Sequence, residues 1–315
     1  MNKGTATCHL AMVLACLTAA GCFGGSKPAF RSDVQQRAET ALARGVRAQQ
    51  KGNNLEARGH LTEALAAAES VEDIPLRTLA LINLSRLHRL QKELERSEQY
   101  GEEALRLTEP GNPLYTEAAH EKALLMLALG RLDEAGRWAL KALEHEKEGL
   151  RGSRRNLAAR IALESGNSRQ AASLAQVALK ENRSSAHPEE EANSLRILGI
   201  VVRLEGSFAE SERLLLEGLS IDKHLGKSAK IAADLEELAA TTRVAGRLKD
   251  SLNYLGRARE VHRGAGRPVD FARVTEQQAL LYEQTGDMDA ARKLRESIPA
   301  PDQKSSATIK PSSRP

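Results

Sequence analysis

Small residues recur along this chain at a fixed distance from a recurring turn. Taking Gly52, Lys92, Gly130, Gly166, Gly206, Gly246 and Gly286 as turn positions, the spacings are 40, 38, 36, 40, 40 and 40 residues. Five residues after each turn stands a small side chain: Ala57, Ser97, Ala135, Ala171, Ser211, Ser251 and Ala291. Seven before it the residue is again small: Gly45, Ser85, Ala123, Ala159, Gly199, Ala239 and Ala279. Twelve after it come Ala64, Ala104, Ala142, Ala178, Gly218 and Ala258, with Ile298 departing at the end. A repeat of this length is one supersecondary unit that buries its apolar face only by stacking on its neighbours.

Composition selects the unit. Aromatic residues make up 3% of the 315 residues, too few for a β-sandwich, whose strands favour aromatic and β-branched side chains. Ala, Leu, Glu and Arg dominate, and these are good helix formers. Pro75, Pro110, Pro113, Pro188, Pro268 and Pro299 fall at junctions between repeats, outside the helix interiors where proline costs about 3 kcal/mol. Gly226 and Gly266 follow helical runs as candidate C-caps.

The three registers resemble the tetratricopeptide repeat, in which two antiparallel helices cross so closely that only Gly, Ala or Ser fits between them. Leu195-Arg196-Ile197-Leu198-Gly199, then Gly206-Ser207-Phe208-Ala209-Glu210-Ser211, then Leu215 and Leu219 are similar to that family's pattern. The basic unit is about 34 residues, so spacings near 40 imply longer helices or linkers, as in kinesin light chains. The resemblance implies an all-α fold, a right-handed α-solenoid of about seven helix-turn-helix repeats over residues 34–298.

The N-terminus reads as an address. Lys3 gives a positive n-region, and Leu10–Ala20 is an apolar run too short for a hydrocarbon core, which needs roughly 20 apolar residues. Leu17-Thr18-Ala19-Ala20-Gly21-Cys22 resembles a bacterial lipobox. The resemblance implies cleavage after a signal peptide at residues 1–21 and lipidation of Cys22, with residues 22–33 as anchor and tether. A non-lipidated secretory signal cleaved near Ala20 is the alternative. Burial is worth roughly 0.8 kcal/mol per CH₂, so two acyl chains anchor a protein stably. Phe23 stands where inner-membrane retention usually needs Asp, which implies an outer-membrane anchor facing the periplasm. Residues 299–315 are rich in Pro, Ser and Lys and read as a disordered tail.

Chemistry is scarce. Cys8, Cys16 and Cys22 all lie in the first 22 residues, so the body has no disulfide framework or Cys-based zinc site. Gly226-Lys227-Ser228 lacks the glycine a phosphate loop needs five residues earlier, where Ile221 stands, and reads as an inter-repeat turn. No pair of the eight His has metalloprotease spacing, and nothing resembles GxSxG. His88 and His120 read as packing or groove residues, Trp138 as core, and Glu144-His145-Glu146 as solvent-facing. No enzyme activity, cofactor or metal is expected. The formal net charge of +4 is mild and the signs alternate, which excludes a nucleic-acid footprint.

In tetratricopeptide repeats the first helix lines the concave face, with positions 10, 6 and 3 before the turn pointing into the groove. Three before the turn stand Arg89, Arg203 and Arg243, six before stand Arg86 and Arg160, and ten before stands Arg196, with Asn156 and Asn193 on the same face. Arg presents a rigid donor fork that matches carboxylates, so the row predicts a groove for an acidic protein or peptide partner. The bland alternative is a solvated polar face neutralised by acids such as Glu164, Glu236, Glu276 and Glu283. The functional expectation is a membrane-anchored scaffold or assembly factor for an envelope complex. The alternatives are a regulatory or sensory module that captures a peptide or small ligand, and a pilotin-like lipoprotein for type IV pilus secretins.

Overall fold

A computed structural model describes residues 31–146 and 149–299. Cys22, the rest of the leader and the tail from residue 300 lie outside the described residues. The described chain forms fourteen helices and no strand. In order they are α1 Asp33–Gln50, α2 Asn54–Ser70, α3 Ile74–Leu90, α4 Leu94–Arg106, α5 Pro113–Ala128, α6 Leu132–Glu144 and α7 Arg151–Glu164, followed by α8 Ser168–Ser184, α9 Pro188–Leu204, α10 Phe208–His224, α11 Ser228–Val244, α12 Leu248–Gly264, α13 Pro268–Gln284 and α14 Met288–Glu296. None is long and apolar enough to cross a membrane.

The long period has a simple origin. From α8 to α13 every helix has 17 residues and every connection has three, so two helices and two turns make the 40-residue unit. The connections share one geometry. At the α9–α10 turn the Gly206 amide donates to Arg203 O at 3.0 Å and the Ser207 amide to Val202 O at 2.9 Å. These two bonds close a Schellman motif and satisfy carbonyls that the helix end leaves orphaned. The motif requires a left-handed residue at its centre, and Gly206 has φ 84°. Gly226 and Gly266 do the same between repeats. Lys92 occupies the same place in the α3–α4 turn with φ 62°, where a side chain is disfavoured by roughly 1–2 kcal/mol. Lys92→Gly is therefore expected to stabilise the chain by about 1 kcal/mol, read as a higher denaturant midpoint at unchanged slope. A lower midpoint would mean that the Lys92 side chain contributes more than its backbone strain costs. Pro75, Pro113, Pro188 and Pro268 lie in first helical turns, where a missing N–H costs nothing.

Every small position predicted from the sequence is buried, except Ile298 beyond the end of α14. The facing partner varies in compensation. Where the first helix carries Gly45 or Gly199, the second presents Leu61 or Leu215; where it carries Ala123 or Ala159, the second presents Ala139 or Ala175. A Cβ built on Gly199 would lie 2.7 Å from Leu215 Cγ, and one on Gly45 2.7 Å from Leu61 Cγ. The remaining core is leucine: Leu81, Leu84, Leu87, Leu125, Leu195, Leu235 and Leu238 are all fully buried. Trp138 is half-buried against the cluster around Leu157 and Ile161, with the Lys141 ammonium 4.3 Å from its ring centroid.

First helices α1, α3, α5, α7 and α9 each bring their backbone within 8 Å (Cα–Cα) of the next first helix, whereas successive second helices stay farther apart than this and meet only through long side chains such as Arg183 and Glu217. A stack closer on one side than the other curves toward that side, so the first helices form the concave layer. That layer opens once: no Cα of α11 lies within 8 Å of one in α13.

Candidate functional site on the concave face

The predicted arginines do lie on first helices, and most are already engaged. Arg89 Nε lies 2.5 Å from Glu121 Oε1, and Arg86 Nε lies 3.1 Å from Glu121 Oε2. Arg203 Nη2 lies 2.7 Å from Glu237 Oε2. Arg196 reaches Asp222 Oδ2 and Asp234 Oδ1, both at 2.6 Å. Arg160 pairs only with Glu164 on its own helix, at 2.9 Å, and is more than half exposed. Arg243 is exposed and has no hydrogen-bonding or ionic partner among the described residues. The expectation of six open forks is thus corrected. Four are closed by carboxylates of neighbouring helices, because positions that face the groove also face the adjoining first helix.

The pairing follows a register the sequence reading missed. The Glu nine residues before one turn meets the Arg three residues before the previous turn: Glu121 meets Arg89, and Glu237 meets Arg203. At the next step the same position is Gln277, which leaves Arg243 without a carboxylate. An acid one period downstream was the available signal. These pairs link one repeat to the next: α3 to α5 and α9 to α11. Arg273 of α13 reaches back in the opposite sense, forming a bidentate pair with Glu236 of α11 at 2.7 and 3.0 Å.

Two clusters lie deeper. Around α5, Glu117 pairs with Arg154, Glu146 accepts from Arg154 Nε at 3.2 Å, and buried Glu121 holds Arg86 and Arg89. Glu146 is therefore an internal partner and not the solvent-facing residue expected. His120 lies among these guanidiniums; burial, then the charges of Arg154, Arg86 and Arg89, hold it well below the usual histidine range, so it is neutral. His88 is buried, stacks on Tyr100 and bonds Glu93 Oε2 through Nδ1 at 2.8 Å. At α9–α11 the second cluster sets Arg196 between two fully buried carboxyls. Burial, opposed by Arg196, pushes Asp234 up to about 7. Asn156 is also internal: its amide donates to Glu190 O at 2.8 Å, and Ser194 Oγ donates to Asn156 Oδ1 at 2.7 Å. Asn193 accepts from Arg196 at 2.9 Å and from Lys230 at 2.8 Å.

What remains open on the concave face is the gap between α11 and α13. There a cleft of about 300 Å³ is lined by Glu236, Glu237, Arg243, Gln277, Leu280 and Gln284, with α12 as its floor. Leu280 is 47% exposed. No group of three or more His, Cys, Asp or Glu among the described residues is arranged to hold a metal. Lys227 of the Gly226-Lys227-Ser228 turn pairs with Glu189 at 2.8 Å.

The tetratricopeptide repeat family model matches residues 42–112 and 156–223. Both matched segments are tetratricopeptide repeats. Solved repeat structures share the chain's fold. A Rap protein complexed with competence and sporulation factor matches at TM-score 0.65 and 12% identity, over 82% of this chain and 74% of that one. PilF of Pseudomonas aeruginosa matches at TM-score 0.55 and 14% identity, over 74% of this repeat protein and 95% of PilF. PilW, described as a widely conserved type IV pilus biogenesis factor, matches at TM-score 0.53 and 18% identity, over 69% and 90%. No curated protein matches the sequence.

Proposed function

We propose that this protein is a non-enzymatic interaction scaffold, anchored to the periplasmic side of the outer membrane through Cys22, that helps assemble an envelope complex. The observation that carries the binding reading is Arg243. It is the one arginine three residues before a turn whose facing position holds Gln277 in place of Glu, so its fork is free to take a carboxylate from outside the chain. Exposed Leu280 beside it supplies an apolar contact. An acidic segment of a protein partner fits this pair of features, since a partner-facing Arg can contribute about 2 kcal/mol or more where a solvated one contributes about zero. Likeness in fold to PilF and PilW supports a pilotin-like role in type IV pilus assembly as a second reading.

Gln277→Glu is the sharpest test, because it rebuilds at Arg243 the closure seen at Arg89 and Arg203 without removing any arginine. Capture of the native partner by the full chain from solubilised envelopes is expected to fall about tenfold with Gln277→Glu and with Arg243→Glu. Arg213→Glu on the outer layer is expected to change little. Unchanged capture by both concave variants would remove the site from the proposal. The anchor is tested apart from the groove: labelled palmitate is expected to enter the wild type and not Cys22→Ser, and equal labelling of both overturns lipidation at Cys22.

A further inference from the structure

The last repeat differs from the others on its outer side. α14 has 9 residues where α12 has 17, a deficit of about 12 Å of helix. Pro299 stands just past its end. Among the described residues, a cleft of about 630 Å³ opens between α12 and α14 with α13 as its floor. Phe271, Tyr282 and Leu294 give it an apolar lining. Its charged lining residues are Arg259, Arg263, Arg267 and Lys293, and none of the described lining residues is acidic. Glu260, outside the lining, pairs with Arg259 at 3.3 Å and also with Arg263. Arg267 has no such relief: its Nε and Nη2 are buried, and no described residue bonds to them. Lys293 is exposed and unpaired among the described residues. One carboxylate therefore serves two of the four cations, and none of the described residues serves the other two.

We infer that this outer cleft binds an acidic peptide segment of a partner protein, with a carboxylate on Arg267 and Lys293 and an apolar side chain against Phe271 and Leu294. Buried donors without acceptors favour a ligand that supplies them, and a guanidinium fork fits a carboxylate in two bonds. The cleft is also extended: Arg259, Gln278 and Tyr282 border a second cleft of about 1040 Å³ that carries Lys223, Lys249 and Arg257. Spaced cations along an apolar channel suit a chain that alternates acidic and apolar side chains. A nucleic-acid backbone is best met by cations on an open solvated face, whereas here they surround an apolar floor. The chain's own segment past Pro299 has the wrong sign, with Lys304, Lys310 and Arg314 against Asp302. The site lies on the opposite layer from Arg243 and does not depend on the concave reading.

The test uses the full chain and fluorescence anisotropy at fixed salt. The probes are a labelled peptide of alternating Glu and Leu, a matched peptide of Lys and Leu, and labelled oligothymidine. The acidic peptide is expected to bind the wild type about tenfold more tightly than either other probe. Arg267→Glu combined with Lys293→Glu is expected to weaken it about tenfold, and the milder Arg267→Gln to weaken it severalfold if the double variant unfolds. In an Arg243→Glu background the Arg267 and Lys293 variants are expected to cause the same loss, which separates this site from the concave one. Four results overturn the inference: equal binding by wild type and the Arg267 variants, no preference for the acidic peptide, tighter binding of oligothymidine, or a gain of about tenfold when the chain is ended at Pro299, which would make the tail the occupant.

Discussion

Gly199→Leu is expected to lower stability by about 3 kcal/mol, at the upper end of the cost of overpacking. A single Cβ at this position would already meet Leu215 Cγ at 2.7 Å and Cδ2 at 2.9 Å, with the backbone carbonyl of Ser211 at 3.4 Å. Leu215 has no exposed surface into which to retreat. The decisive measurement is a double-mutant cycle. Leu215→Ala alone leaves a cavity and is expected to cost about 2–5 kcal/mol, and Gly199→Ala alone is expected to clash. Together they reproduce the Ala–Ala pairing already present at Ala123–Ala139 and Ala159–Ala175, so the pair is expected to be less destabilising than the sum. Simple additivity in urea unfolding would show that the two positions do not share one space.

Arg196→Met is expected to cost about 3–5 kcal/mol near neutral pH, because it strands Asp222 and Asp234 as buried carboxyls without a cation in contact. Their other oxygens, Asp222 Oδ1 and Asp234 Oδ2, are buried without a donor. The loss depends on pH in a defined direction. Asp234 titrates near 3.8 when unfolded and near 7 when folded. Between those values the native state holds the extra proton, so the stability from this site is complete below about pH 4 and is lost as pH rises toward 7, by up to about 1.4 kcal/mol per pH unit. Asp234→Asn is expected to flatten that slope in denaturant titrations from pH 4 to 8. An unchanged slope would place the proton elsewhere. Replacing all three charged groups with apolar or amide side chains is expected to be far milder than removing Arg196 alone, since the cost lies in the uncompensated charge.

Read along the chain, the fold was nearly complete. Seven turns with small residues at three fixed offsets place each pair of helices, because close helix crossings exclude all but Gly, Ala and Ser, and this local rule leaves its mark at every repeat. The left-handed turn at Gly206 and the prolines at helix starts are local in the same sense. The site was only half legible. Arg86, Arg89, Arg160, Arg196, Arg203 and Arg243 were placed on the correct helices, yet whether a guanidinium is open depends on a residue one repeat away. Glu121 and Glu237 close Arg89 and Arg203, while Gln277 leaves Arg243 free. Which carboxyls lose water, as Asp222 and Asp234 do, and which helix ends early enough to open a cleft beside Arg267 and Lys293, are settled when the repeats stack. Periodicity along the chain sets which helices form and which faces meet; charge pairing and solvent access depend on distances across neighbouring repeats, and those exist only once the solenoid has closed.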